Sequence, residues 1–107
     1  GYDYVQVRSL PSKDPHRKPW AANWTGDPLR ERGFIDNKTG SSVIRALINR
    51  LNITTKNVCA AYPDRAVYVD LRGSVPPNEW ADELHATSVG FQKAAQAFSN
   101  YLPNSDL

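Results

Sequence analysis

Ala66, Val67, Tyr68, Val69, Asp70 and Leu71 are the six residues that most constrain how this chain can fold. β-Branched, aromatic and aliphatic side chains dominate the run, and helical patterns lie on both sides of it. Residues 66–71 are therefore expected to form a strand between two helices. Helix followed by strand at this spacing is half of an α/β unit, and so apolar a strand calls for parallel neighbours on both sides. The fold class expected is α/β with a parallel sheet.

The flanking helices are read from their apolar spacing. Ser41 or Ser42 is placed to cap a helix that runs through Val43, Ile44, Leu47, Ile48 and Leu51, which follow the i, i+3, i+4, i+7, i+8 rule. That helix either pauses at Ile53-Thr54-Thr55 or continues to Ala61, and Pro63 ends it. After the strand, Thr87 or Ser88 caps a last helix whose stripe is Phe91, Ala94, Ala95, Phe98, Tyr101 and Leu102. Near the start, Tyr2, Tyr4, Val5 and Val7 make a second β-rich run. Opening directly on such a run, the sequence looks cut rather than naturally begun.

Residues 11–40 between them are rich in Pro, Gly, Asp and Asn and keep no period. Within them, residues 27–33 predict one short helix with a glycine stop at Gly33. A connection of thirty residues is longer than compact domains usually carry, so it is expected to be functional or packed on a partner surface. It also holds Trp20 and Trp24, which either line a substrate cleft or pin the segment to the domain.

Composition removes several function classes. The 107 residues form one domain or a piece of one. Thirteen basic and eleven acidic residues give a net charge of only +2 with no basic stripe, which argues against nucleic-acid binding. One cysteine, Cys59, excludes an intrachain disulfide, and its apolar neighbours suggest a buried small hydrophobe. Two histidines and one cysteine make a zinc site improbable, and no metal or cofactor is expected. No apolar run approaches membrane-spanning length, and the compartment stays open. Asn23-Trp24-Thr25, Asn37-Lys38-Thr39 and Asn52-Ile53-Thr54 fit the glycosylation acceptor pattern, which is short enough to arise by chance.

Chemistry concentrates in Trp80-Ala81-Asp82-Glu83-Leu84-His85-Ala86-Thr87. An acid stands three residues before a histidine, in a loop between the expected strand and the last helix. A carboxylate that orients an imidazole, and an imidazole that moves a proton, form the base half of a Ser-His-Asp site. The position late in the chain suits the order Ser…Asp…His. On residue types alone, the same pair also fits a surface loop in which the carboxylate caps the backbone and the histidine is idle.

A wider window resembles the last segment of SGNH (GDSL-type) hydrolases. Val69-Asp70-Leu71-Arg72-Gly73, the D-x-x-H block at Asp82 and His85, and Gly90-Phe91 carry the resemblance, and Gly1-Tyr2-Asp3-Tyr4 looks like the strand after that family's Gly-x-Asn-Asp block. The resemblance implies a flavodoxin-like three-layer α/β/α sandwich, incomplete in this chain, with residues 1–107 as the C-terminal portion of one domain. Residues 41–102 would supply helix, strand, catalytic loop and helix. It also implies ester or acyl hydrolysis, with His85 as general base and Asp82 as its orienting acid; Trp20, Trp24 and Trp80 are the candidates for substrate contact. Two departures stand out: Ala86 takes the place of the family's usual proline, and no Gly-Asp-Ser or Gly-x-Asn-Asp occurs. Hence none of Ser9, Ser12, Ser41, Ser42, Ser74, Ser88, Ser99 or Ser105 is assigned as nucleophile.

Two strands and two or three helices do not close a core. The expected partner is therefore an N-terminal half that brings the serine and oxyanion hole, or a second copy of this chain, with a small-molecule, lipid or carbohydrate ester as substrate. The alternative is a non-catalytic binding module, or an inactive fragment, that keeps only the frame.

Overall fold

The computed structural model describes residues 2–5, 7, 24–34 and 36–102. Three helices make up about half of them: α1 (Gly26–Glu31), α2 (Asn37–Ala61) and α3 (Ser88–Ser99).

The short helix α1 forms where the sequence places it, and Gly33 stops it with φ +90, a conformation glycine adopts without strain. The start of α2 differs from expectation. Asp36, not Ser41 or Ser42, is its cap, with the carboxylate accepting the Thr39 N–H at 2.7 Å and the Thr39 hydroxyl at 2.9 Å. Those bonds hold the Asp36 carboxyl below its ordinary range. Helix α2 then runs without pause through Ile53-Thr54-Thr55 to Ala61, and the Thr55 hydroxyl donates back to Leu51 O at 2.9 Å. Thr87 caps α3 as expected, accepting the Gly90 N–H at 3.1 Å.

The parallel-sheet sandwich is not found. Among the described residues there is no strand and no sheet; the only pairing of that kind is an isolated antiparallel bridge between Trp80 and Ala86. Residues 66–71 carry the side chains of a strand but have no ladder beside them. Strand propensity is local, whereas a sheet also requires a neighbouring backbone in register. Side chains hold the run instead: Tyr68 donates to Asn52 at 2.7 Å, and Arg72 reaches Asn49 at 3.1 Å. The described part of the second β-rich run, residues 2–5 and 7, likewise belongs to no strand.

Among the described residues, two small apolar clusters are found. Val5, Val75 and Trp80 form the first, with Ile44, Leu84, Ala86 and Ala94 against them. Val7 and Leu29 form the second, with Phe34, Val43 and Ile44. Ile44 belongs to both, so the start of α2 joins the two clusters.

Polar side chains fix the remaining geometry. Asn52, 1 % exposed, accepts from Tyr2 N and Tyr68 Oη and donates to Tyr2 O and Ile48 O. That burial removes it as a glycosylation acceptor. The buried Asp3 carboxylate accepts the Gly73 N–H at 2.6 Å and the Val75 N–H at 2.7 Å, tying the loop after residue 71 to the N-terminal run.

Much apolar surface stays uncovered. Leu47, Leu51 and Val58 on α2, Phe91 and Phe98 on α3, then Tyr101 and Leu102, are all about half exposed, and Val67 is 71 % exposed. Cys59 is half-buried, less enclosed than its apolar neighbours suggested. Among the described residues no helix is long and apolar enough to cross a membrane.

Candidate active site

Residues 80–86 close into a tight loop on the Trp80–Ala86 bridge. The Ala81 and Asp82 N–H groups both donate to His85 O, at 2.8 and 3.3 Å, and the Thr87 N–H donates to Glu79 O at 2.9 Å. The Thr87 hydroxyl donates to the Glu79 carboxylate while also capping α3, which joins loop to helix. Gly90 lies directly beneath: a Cβ there would meet Glu79 O at 2.5 Å and the Ala86 Cβ at 2.9 Å. Asp82, Glu83, Leu84 and His85 are thus held at the tip of a short, pinned loop.

At that tip Asp82 and His85 meet. The carboxylate accepts the Leu84 and His85 backbone N–H groups at 2.8 and 2.7 Å, and its oxygens lie 3.1 and 2.9 Å from His85 Nδ1. A carboxylate only accepts, so Nδ1 is the donor in this pair, and the neutral tautomer it selects is the one with its lone pair at Nε2. Burial acts to raise the Asp82 carboxyl, but the two backbone donors and the His85 ring outweigh it and hold the group below its ordinary range. Asp82 therefore stays ionised at neutral pH. The His85 side chain is 54 % exposed, open to a reacting group.

Glu83, between them in the chain, is 3 % exposed. Its Oε2 accepts from Thr25 N at 2.9 Å, Thr25 Oγ1 at 3.0 Å and Gly26 N at 3.0 Å. The start of α1 is thereby fastened to the loop. Trp24, one residue earlier, meets the His85 ring edge to face, with centroids 5.8 Å apart and planes at 71°.

On another side His85 borders a cleft of about 230 Å³ lined by Tyr2, Leu71, Val75, Trp80, Leu84 and Phe91, with Asp3, Ala86 and Ala94 completing it. Its main polar groups already have partners: Asp3 is bonded to backbone N–H groups, and Tyr2 Oη donates to Leu84 O at 3.3 Å. Burial and the nearby Asp82 charge push the Tyr2 phenol up, so it stays neutral.

No protein-family model, curated protein or solved structure matches this chain.

The residues singled out from the sequence fall into distinct settings. Asp82 and His85 are bonded, and Trp24 touches the histidine. Trp80 borders the cleft yet is a core residue, 6 % exposed and packed with Val5 and Val75. Trp20 lies outside the described residues. Among the described serines, Ser42, Ser74 and Ser99 donate to Lys38, Leu71 and Gln96 carbonyls, and no serine hydroxyl bonds the His85 ring. Among the described residues no group of three or more His, Cys, Asp or Glu is placed to hold a metal ion. Glu83 and Tyr2 were not expected at the site. The only sequence signal for Glu83 was its place inside the D-x-x-H block.

Proposed function

We propose that the Asp82–His85 pair is the base half of a serine-type ester hydrolase site. The observation that carries this reading is the 2.9 Å contact between Asp82 and Nδ1, which engages that nitrogen and leaves Nε2 as the other ring nitrogen, on a half-exposed ring beside an apolar cleft. The resemblance of residues 67–91 to SGNH hydrolases supports the same chemistry. Nε2 takes the hydroxyl proton of a serine as its Oγ attacks the ester carbonyl. The imidazolium that forms is stabilised by ionised Asp82, and its proton passes to the departing alcohol as the C–O bond breaks. Water repeats the sequence and frees the acid. The cleft beside His85 suits the apolar part of the ester, with Trp80 and Phe91 among its lining.

The serine and the oxyanion donors come, on this reading, from a segment or partner chain that packs over the cleft. A fluorophosphonate probe tests it on the protein together with any chain that co-purifies. One serine should be labelled in the wild type, and labelling should fall sharply in His85→Ala, because the serine loses its base. Equal labelling in both would overturn the role of His85, and no labelled serine in the wild type would overturn the reading and leave a non-catalytic binding module.

A further inference from the structure

We infer that Glu83 is a positioning residue for His85, acting through Trp24; the inference rests on the reading of His85 as general base. A carboxylate this buried persists only where donors replace its water, and a single Glu83 oxygen receives three. Two are backbone N–H groups at the start of α1, which have no partners within a helix. Thr25, the cap residue of α1, makes no side-chain cap of its own because its hydroxyl is turned to Glu83. Glu83 thus caps α1 from 57 residues away and fixes the backbone on which Trp24 stands.

The consequence falls on the histidine. Asp82 holds Nδ1, but a side chain 54 % exposed has room to swing its ring off the carboxylate. The Trp24 ring, 5.8 Å away at 71°, occupies one side of that space. Glu83 and Asp82 are neighbours in the same tight loop and have different partners. One orients the ring by a hydrogen bond, and the other sets the wall against which the ring rests. Small displacements of a proton-transfer group cost rate far more than affinity, so the effect belongs in kcat.

The test begins with an NMR measurement that needs no activity: a nuclear Overhauser contact between the Trp24 indole and the His85 ring protons. It is expected in the wild type and in Glu83→Gln, whose amide oxygen can accept the same three donors. It is expected to vanish in Glu83→Ala. In ester hydrolysis, Glu83→Ala and Trp24→Leu should each lose about ten- to a hundredfold in kcat with KM little changed, and Glu83→Gln should recover most of it. The inference is overturned if the wild type lacks the contact, or if folded Glu83→Ala keeps both contact and kcat. Should Glu83→Ala fail to fold, Trp24→Leu decides: wild-type kcat in that variant also overturns it. A wild type that shows the contact but hydrolyses no ester counts against the general-base reading alone.

Discussion

The Asp82 carboxylate binds His85 twice, at the ring Nδ1 (2.9 Å) and at the backbone N–H (2.7 Å). The second bond closes the loop that makes the first possible, so one side chain builds the turn and orients the imidazole. Asp82→Asn separates these roles. The amide oxygen can keep the backbone bonds, but its NH₂ would face Nδ1 and favour the wrong tautomer. The fold should persist with a lowered melting temperature, because a neutral oxygen accepts more weakly than a carboxylate, while turnover falls by about four orders of magnitude. Near-normal turnover in the variant would show that the pair has only a structural role.

The depressed Asp82 carboxyl sets a pH dependence. Its folded-state pKa lies below the unfolded value of about 3.9, so its contribution to stability is complete above that value. It is lost as pH falls through the lower, folded value. Hydrogen exchange at the Leu84 and His85 amides should therefore show protection held through about pH 5 and lost only in stronger acid. Asp70, held at about 2 chiefly by its hydrogen bond to Arg72, should titrate lower still than an ordinary carboxylate. Protection lost already near pH 5 would contradict the hydrogen-bond assignment.

Gly90 is predicted to be intolerant of any side chain. A Cβ would meet the Glu79 carbonyl at 2.5 Å and Val75 Cγ1 at 3.0 Å, so either the loop or α3 must move. Gly90→Ala should lower stability by about 1–3 kcal/mol in a urea titration and shift the His85 ring signals with it. Unchanged signals at full stability would mean that loop and helix are less tightly joined than described.

Asn52 links α2, the N-terminal run and the extended run at Tyr68 through four hydrogen bonds. Asn52→Ala strands several of those partners and should lower stability by about 2 kcal/mol or more. An equilibrium denaturation curve checks this, and a change within error would mean that water satisfies the partners.

Local chemistry was legible in the sequence, and long-range partnership was not. The Gly33 stop, the Thr87 cap and the D-x-x-H pair each depend on residues within a few positions, and each forms. The start of α2 was misplaced because Asp36 competes with Ser41 and Ser42 as a cap, and only its bonds to Thr39 decide between them. The strand at residues 66–71 failed for the opposite reason. Its β-forming side chains are real, but a sheet requires a second backbone, and Tyr68 of the run bonds Asn52 of α2 instead. Glu83 was invisible because a glutamate in a loop is ordinarily solvated, and what buries this one lies 57 and 58 residues earlier.

Ester hydrolysis tests the central claim most directly. The protein, with any chain that co-purifies, is assayed on a short-chain aryl ester alongside His85→Ala. Removal of the base should lower turnover by several powers of ten, on the order of 10⁴ or more, and leave only what binding and oxyanion stabilisation supply. Wild-type turnover in His85→Ala would contradict the account.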